Sequence, residues 1–439
     1  MIAADGGPAG EMRALAARLR EARLTVLERY SARARAGLIG RAAARLLDRD
    51  DPARRDAEER VAAEAALSGP MARAVIEGMA RDWSGDRLLA LLEAELFDPD
   101  ALERFVRAPG GRLVRAFPPA LSLHIGAGTV PGVTTTSLIR ALLVGSAAVV
   151  KPGRGDRALT ELFWRLLGDE APDLAAMAAV GYWEGGVERA HEDALLGEAD
   201  AVVVYGGDET VRSVRERLPV TTRLIAYHHR LSVALVGRTA LEPDALAATA
   251  DQAARADALF EHRGCVSPHA IFVEGVSGAL AFAAALGDAL ARTAVALPAV
   301  PLSPAEGSAV QQLRGSAELR AAAGQPVALH GAPDGSWTVL LEPAAAIEPC
   351  LGRTVRVHPV ASLGEVPERL APVGRHLQTV GVAGVEGRRL DALAGALGEV
   401  GALRICPLAD VAFPPPWWHH DGQGPLTSLL RWVDLEKER

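Results

Sequence analysis

The sequence contains few cysteines and no cluster of them. Its 439 residues include three, Cys265, Cys350 and Cys406, which are odd in number and widely spaced. A disulfide framework needs paired cysteines, and a structural zinc site needs several cysteines or histidines at short intervals. The cysteine pattern therefore argues against both. We expect Cys350 and Cys406 to be buried or bystander residues.

Long apolar segments are also lacking, although hydrophobic residues make up 49% of the chain. Much of that fraction is alanine, and apolar runs such as 280–286 and 295–300 are far shorter than the ~20 residues that span a bilayer. The first ten residues are acidic and glycine-rich, without the apolar segment of a signal peptide. We therefore expect a cytoplasmic protein with no membrane insertion.

An excess of positive charge is absent as well. The formal net charge is −8 and the isoelectric point is about 5.8. These values argue against a nucleic-acid partner, because nucleic-acid-binding domains are usually basic. The length and composition fit a soluble enzyme with two or more domains, each with a sizeable core.

What the sequence does contain is one cysteine in a setting that favours reactivity. Cys265 follows a glycine and precedes the strand-like run 270–273, so we expect its sulfur to lie at a turn. Arg263, His262 and His269 lie within four residues of it. Positive charge there would lower the thiol pKa from its reference of about 8.5, which suits covalent catalysis. The alternative is a small apolar residue that happens to be cysteine.

Two segments predict a strand, a glycine turn and a helix in succession. In residues 120–152 the turn is Gly126-Ala127-Gly128, and a second strand ends at Lys151. In residues 201–217 a strand over 201–205 leads through Gly206-Gly207 to a helix whose N-terminal amides would favour a phosphate. Open α/β sheets bind nucleotides at such strand ends. The first turn does not complete the dinucleotide fingerprint, so plain structural turns are the alternative.

Taken together, these segments resemble the aldehyde dehydrogenase superfamily, and within it the acyl-CoA reductase branch that supplies fatty aldehyde in bacterial bioluminescence. The resemblance runs from about residue 110 to the end of the chain. It is carried by six short stretches, which are His124-Ile-Gly-Ala-Gly-Thr-Val-Pro-Gly132, Val149-Val-Lys-Pro152, Val203-Val-Tyr-Gly-Gly-Asp-Glu-Thr210, Gly264-Cys-Val-Ser-Pro-His269, Arg353-Thr-Val-Arg-Val-His-Pro359 and Trp418-His-His-Asp-Gly422.

The resemblance implies a reaction that starts at Cys265. Its thiolate would attack an acyl thioester to give an enzyme-bound acyl thioester, and hydride from a reduced nicotinamide would then release an aldehyde. The resemblance assigns Lys151 to the adenosine ribose of the cofactor, the Gly206–Gly207 turn to its pyrophosphate and Glu348 to its nicotinamide ribose. The respective alternatives are a strand-end surface lysine, structural turn glycines and an ordinary loop carboxylate.

One departure from the family pattern concerns the oxyanion. Most aldehyde dehydrogenases place an asparagine in the first turn, where its amide helps to stabilise the oxyanion, whereas this chain has Thr129. A hydroxyl can donate one hydrogen bond but has a shorter reach. Loss of one such donor costs on the order of 100-fold or more in rate in other enzymes. The role of Thr129 therefore stays open.

A second departure concerns water. Hydrolytic members place a general-base glutamate some way before the cysteine, yet residues 217–241 contain no Asp or Glu. Without that base, water attacks the enzyme-bound thioester slowly, so a thiol or an incoming hydride reacts with it first. His228 and His229 lie in this stretch. They are candidates for binding the phosphate or carrier side of the substrate, or polar residues at the start of the strand that follows.

Cofactor preference is predicted from Arg154, three residues past the motif lysine. Many NAD-using relatives carry a glutamate there, which accepts hydrogen bonds from the ribose hydroxyls. An arginine would instead pair with a 2′-phosphate, so the predicted cofactor is NADPH. An exposed loop arginine without this role is the alternative.

The expected fold class is α/β and aldehyde dehydrogenase-like, with a helical N-terminal lead-in. We expect a helical region of the cofactor-binding domain over 1–105, a Rossmann-like NAD(P)-binding domain over 106–230 and a catalytic domain over 231–410. The tail 411–439 would pack on the cleft or on a subunit interface. Exposed Trp417 and Trp418 suggest such an interface, with surface anchoring as the alternative.

The sequence thus predicts NADPH-dependent reduction of an acyl-CoA or acyl-carrier-protein thioester to an aldehyde. We also expect the protein to form a homo-oligomer. A Cys–His acyltransferase or thioesterase, using Cys265 with His269 or His229 and no nicotinamide, is the first alternative. A catalytically silent scaffold is the second.

Overall fold

The computed structural model describes residues 7–343, 347 and 352–436. Contacts within the chain define two units. Unit 1 consists of Met1–Ala66, Ala72–His228 and Pro415–Arg439, and unit 2 consists of Leu67–Met71 and His229–Pro414. The C-terminal segment from Pro415 therefore belongs to the same unit as the N-terminal helices.

The first part of the chain is helical because Ala, Leu, Arg and Glu, which favour helices, dominate it. Helix boundaries fall at capping residues. The Ser31 side chain accepts a hydrogen bond from the Ala34 amide, and the Asp51 side chain accepts one from the Ala53 amide. The helices are α1 Pro8–Arg29, α2 Ala32–Leu47, α3 Pro52–Glu64, α4 Gly69–Asp82 and α5 Gly85–Glu95.

Strands and helices alternate in the rest of unit 1 up to His228. The strands are β1 Val106–Arg107, β2 Leu113–Phe117, β3 Leu121–Ile125, β4 Ala147–Lys151, β5 Ala178–Val180, β6 Ala201–Tyr205 and β7 Arg223–Tyr227. The helices are α6 Val133–Val144, α7 Arg157–Glu170, α8 Pro172–Ala176, α9 Arg189–Glu198 and α10 Asp208–Arg217.

A parallel sheet in the order β5-β4-β3-β6-β7 forms the centre of unit 1. Strands β3, β4 and β6 are buried along their whole length, as is usual for the central strands of a parallel sheet. Ile125 pairs with Lys151 on one side and with Val204 on the other, so the carboxyl ends of these strands are level. The chain leaves β3 in one direction and returns to its other side at β6. Ligands bind at such a switch point in open α/β sheets.

Unit 2 is built around a larger, mostly parallel sheet. Its strands are β8 Leu231–Val236, β9 Pro268–Glu274, β10 Ala328–Gly331, β11 Thr338–Leu341, β12 Thr354–Val360, β13 Leu377–Ala383 and β14 Arg404–Pro407. Its helices are α11 Pro243–Ala258, α12 Val276–Ala296, α13 Pro304–Ala322, α14 Val366–Leu370 and α15 Gly387–Glu399. The order is β10-β11-β12-β9-β8-β13-β14, and β10 alone of these described strands runs antiparallel to its neighbour.

Helix α12 is the one described helix that is long and apolar enough to cross a membrane by length and composition. Although purely apolar runs in it are short, its many alanines raise the hydropathy of the whole helix. Phe282, Leu286 and Leu290 are buried on its inner face, and the helix contacts α11, β9 and β12 of its own unit. Core helices of globular domains pass the same test, so this helix is weak evidence for membrane insertion.

The C-terminal segment adds β15 Arg431–Leu435, which pairs antiparallel with β2 in a sheet of order β1-β2-β15. The prediction that Trp417 and Trp418 are exposed is wrong, because both are partly buried within unit 1. The Arg87 guanidinium lies 4.9 Å from the Trp417 ring, and the Trp418 ring stacks on His420 at 4.6 Å. Neighbouring side chains therefore already cover much of both rings.

Candidate active site

Two glycine loops lock together at the carboxyl edge of the unit 1 sheet. A side chain at Gly153, after β4, would overlap the backbone of Gly128 in the loop after β3. A Cβ atom at Gly128 would in turn lie 2.9 Å from the amide nitrogen of Gly155. The two backbones touch, so close packing requires glycine at these positions.

Asp156 ties the same two loops together. Its buried carboxylate accepts hydrogen bonds from the amides of Gly132, at 2.6 Å, and Thr134, at 2.7 Å, at the start of α6. Burial raises the pKa of Asp156 to about 7, although these bonds oppose the shift. The sequence analysis missed this residue. It could have been found from the sequence, because α6 begins after a glycine that offers no capping side chain and the second loop contains a carboxylate.

His124 of the first motif has a structural role. Its ring is fully buried in β3 between the hydroxyls of Ser137, at 2.6 Å, and Ser122, at 2.8 Å. Burial lowers its pKa to about 3, so the ring is neutral. It is a satisfied core histidine.

Lys151 ends β4 at this edge, where its side chain is largely buried. Its ammonium lies 5.9 Å from the Tyr182 ring and 5.8 Å from the Trp183 ring, which follow β5. The rest of the sequence contains only one other lysine, Lys437, so nearly all of the 47 basic residues are arginines. A lysine here is therefore unlike the general preference of the chain. The sequence analysis missed Tyr182 and Trp183. They could have been found as two adjacent aromatic residues just after a strand.

Arg154 lies on the turn after β4, between the two interlocking glycines of the second loop. Its guanidinium is exposed and lies 3.7 Å from the Glu184 carboxylate. A hydrogen bond with Tyr182, and the charge of Glu184, raise its pKa further above the usual value. The structure thus brings Lys151, Arg154 and Tyr182 to one edge of the sheet.

The predicted turn Gly206–Gly207 follows β6 at the same edge. A Cβ atom at Gly206 would lie 2.9 Å from the Thr210 side chain, whereas one at Gly207 would meet nothing within 4 Å. The open side of Gly207 leaves room for a bulky group at the start of α10, where no side chain caps the helix. Asp208 and Glu209 in the first turn of α10 oppose an anion there.

These residues fit a dinucleotide. Glycine-lined strand ends at a switch point leave room for a pyrophosphate. The ammonium offers a hydrogen-bond donor to a ribose, and the two aromatic rings offer apolar surface to a base. Thr129 is exposed in the first loop. Glu348, the predicted partner of the nicotinamide ribose, lies outside the described residues, as does Cys350.

Cys265 lies at the amino edge of the unit 2 sheet, on a turn closed by a 2.9 Å bond from the Ser267 amide to the Gly264 carbonyl. The predicted turn is confirmed, and the thiol is half-buried. The Ser232 hydroxyl donates to the Cys265 carbonyl at 2.6 Å and accepts from the Thr379 amide at 3.0 Å. Residues near the amino ends of β8 and β13 therefore fix the backbone that carries the thiol.

The expectation that His262 and His269 supply positive charge to this thiol is wrong. Both rings are buried and lie 4.4 Å apart. Burial lowers the pKa of His262 to about 4 and that of His269 to about 2, so both are neutral near neutral pH. The Arg263 guanidinium lies 3.3 Å from the Glu306 carboxylate, which compensates its charge.

Two further histidines lie at the same edge. His229 is exposed just before β8, and its charge is one reason for the low pKa of His269. His376, just before β13, was missed by the sequence analysis; its Nδ1 lies 3.3 Å from the His229 carbonyl oxygen. The structure therefore places Cys265, His269 and His229 at the amino ends of adjacent strands, whereas His228 belongs to unit 1.

Comparison with known proteins extends this description. A family model described as acyl-CoA reductase (LuxC) matches residues 31–432. A long-chain acyl-protein thioester reductase from Photobacterium phosphoreum is 26% identical over 196 residues, which cover 44% of this chain and 39% of the relative. Long-chain acyl-protein thioester reductase 2 from Photobacterium leiognathi is 24% identical over 362 residues, which cover 81% of this chain and 72% of the relative.

Solved structures agree on the fold. The NADP-dependent glyceraldehyde-3-phosphate dehydrogenase from Bacillus halodurans C-125, complexed with NADP, superposes with a TM-score of 0.71 at 16% identity. The match covers 97% of this chain and 91% of that structure. The predicted aldehyde dehydrogenase-like fold is confirmed.

Proposed function

Because the chain belongs to the acyl-CoA reductase (LuxC) family and is thereby an oxidoreductase, we propose that it reduces an acyl thioester to an aldehyde through an acyl–Cys265 intermediate. The observation that carries this proposal is the half-buried Cys265 turn at the edge of the unit 2 sheet, in a chain that matches this family over 31–432. NADPH is the proposed reductant.

The first step is thiol exchange on the acyl group. The Cys265 thiol loses its proton, the thiolate sulfur bonds to the carbonyl carbon, and the bond from that carbon to the carrier sulfur breaks. The departing thiolate takes up a proton. His269 is a poor proton acceptor because burial lowers its pKa. We therefore assign to the exposed His229 the transfer of the proton from the Cys265 thiol to the departing thiolate. Thr129 remains the proposed oxyanion donor.

The cofactor is proposed to bind along the carboxyl edge of the unit 1 sheet. Reduced nicotinamide, when bound, supplies the hydride that releases the acyl group as an aldehyde. Lys151 would bind the adenosine ribose, and the Gly206–Gly207 turn would accommodate the pyrophosphate. Arg154 would exchange its exposed partner Glu184 for the 2′-phosphate. Glu348 remains the proposed partner of the nicotinamide ribose. The NADP-bound neighbour supports a nicotinamide cofactor for this fold.

The proposed substrate is a long-chain acyl group on CoA or on a protein thiol. The relatives described as long-chain acyl-protein thioester reductases support this class. The absence of Asp and Glu from residues 217–241 supports reduction over hydrolysis, because that stretch offers no carboxylate to activate water.

The test is incubation with acyl-CoAs of increasing chain length and with an acylated carrier protein, in the presence of NADPH. We expect nicotinamide oxidation and aldehyde in equal amounts. Release of free fatty acid without nicotinamide oxidation would instead identify a Cys–His thioesterase, and transfer to a second thiol or hydroxyl would identify an acyltransferase.

A further inference from the structure

Three consecutive residues just ahead of the nucleophile adopt left-handed backbone conformations. Phe260, Glu261 and His262 have φ angles of 60°, 54° and 59°. A residue with a Cβ atom rarely adopts this conformation, and a run of three is more unusual still. Most described positions with positive φ in this chain are glycines. The conformation of residues 260–262, which we call the left-handed turn, is therefore held by its surroundings.

Each side chain of the left-handed turn has its own anchor within unit 2. The Phe260 ring packs edge-on against Phe413 with centroids 5.4 Å apart. The His262 Nε2 lies 3.3 Å from the Pro268 carbonyl oxygen, within hydrogen-bond distance. Its Nδ1 lies 3.4 Å from the Asp257 carboxylate but forms no hydrogen bond with it. These anchors bind the turn to Phe413 and to the start of β9.

The central residue has the strongest anchor. The Arg353 guanidinium donates to both carboxylate oxygens of Glu261, at 3.1 and 2.9 Å, and to the Leu297 carbonyl at 2.7 Å. Both side chains are buried, and such bidentate bonds fix the geometry as well as the charge. Arg353 itself has a φ of 50°. It begins a stretch that carries the family resemblance but has no role in the chemistry described above.

The nucleophile turn follows at once, with Cys265 three residues after His262. Its neighbours His262 and His269 are neutral and Arg263 is paired with Glu306, so these three side chains do not supply the expected positive charge. Placement of the sulfur is a separate contribution that the local structure can make. Misplacement of a reacting group by about 1 Å can cost ~100-fold in rate.

We propose that Glu261 and Arg353 are positioning residues, whose buried ion pair holds the left-handed turn and so places Cys265 for attack on the acyl carbonyl. This inference rests on the proposed function. It assigns no contact with substrate to either residue.

The test compares two reactions of the same thiol. Acylation by an acyl-CoA without reduced cofactor requires a placed sulfur, whereas alkylation by iodoacetamide needs only an accessible thiolate. In Glu261→Gln we expect acylation, followed by intact mass, to slow by about ten-fold or more, and alkylation to stay within about three-fold. The matched control is Glu274→Gln, which removes the charge of a buried glutamate paired with Arg389 at the far end of β9. It should leave both rates within about three-fold.

Loss of one partner can destabilise a buried ion pair, so Arg353→Lys provides a second variant that keeps the positive charge but loses the bidentate geometry. It should show the same split between the two reactions. Unchanged acylation in a folded variant would overturn the inference, as would equal slowing of acylation and alkylation. If the wild-type protein forms no adduct at all while its thiol is alkylated, the proposed function itself fails.

Discussion

The carboxyl edge of the unit 1 sheet and the amino edge of the unit 2 sheet place their candidate residues in opposite electrostatic settings. At the first edge the Lys151 ammonium lies beside two aromatic rings, and a hydrogen bond with Tyr182 raises the pKa of Arg154. At the second edge His262 and His269 are neutral because they are buried. The first edge thus presents two cations, although Asp208 and Glu209 of α10 lie at the same edge. At the second edge these two histidines add no positive charge beside the thiol.

The strongest test of this contrast removes the nucleophile. Cys265→Ala should abolish both the acyl adduct and turnover, because no other described thiol is placed to replace it. Intact mass after incubation with acyl-CoA measures the adduct. Cys406→Ala is the control. Burial raises the pKa of Cys406 to about 11, so this thiol is protonated near neutral pH and its loss should leave both reactions unchanged. An adduct on the Cys265→Ala protein would contradict the assignment.

The first edge can be tested without disturbing the second. Lys151→Met should raise the KM for NADPH by about 10- to 100-fold, because a hydrogen bond from a charged donor is lost. The rate of acylation without cofactor should stay unchanged. Steady-state kinetics and intact mass measure the two effects separately. Equal losses in both reactions would show that Lys151 supports the fold and not a cofactor.

A smaller effect is expected at Arg154, which is exposed. Arg154→Glu should raise the KM for NADPH about ten-fold while that for NADH stays nearly unchanged or improves, because only NADPH carries the 2′-phosphate. Arg157→Gln, three residues further along the chain, is a control for general loss of positive charge. It should change the KM values for NADPH and NADH equally. If Arg154→Glu also affects both cofactors equally, the arginine is an ordinary loop residue.

The smallest expected effects concern stability, at a buried aspartate in each unit. Burial raises the pKa of both Asp156 and Asp257 to about 7 from an ordinary value of 3.8. A raised folded-state pKa means that the stabilising contribution of each group is present below pH ~4 and is lost as pH rises toward 7. Because asparagine does not titrate, each Asp→Asn variant should show a smaller fall in the free energy of unfolding between pH ~4 and pH ~7 than the wild-type protein.

The two substitutions should differ at neutral pH. Asp156 accepts two backbone amides, and an asparagine can replace only one of these acceptors, so Asp156→Asn should destabilise by about 1–3 kcal/mol. No described group donates to Asp257 within hydrogen-bond geometry, and an asparagine could donate to His262, so Asp257→Asn should change stability by less than about 1 kcal/mol. Denaturant unfolding between pH 4 and 8 measures both. A larger cost at Asp257 would reverse the comparison.

Local features of this fold were predictable from the sequence. The helix over 208–217 and the strand over 201–205 are confirmed, because each follows from a local pattern of residues. The turn at Cys265 is confirmed for the same reason. The charge of its neighbours was not predictable, because burial of His262 and His269 depends on elements distant in sequence. Asp156 and the Tyr182–Trp183 pair were missed for the related reason that their partners come from other loops. The roles of Thr129, Lys151, Arg154, Gly206, Gly207 and Glu348 stay predictions.

The interlocking glycine loops have a consequence for how cofactor preference can change. Arg154 lies between Gly153 and Gly155, whose backbones press against Gly128, while its own side chain extends into solvent. Any insertion or deletion in this segment would separate the two backbones, whereas exchange of the side chain at position 154 would leave them untouched. If Arg154 binds the proposed 2′-phosphate, redesign of this chain for NADH should therefore change the side chain at position 154 and keep the length of the loop. Grafting a longer loop should prevent folding before it alters specificity.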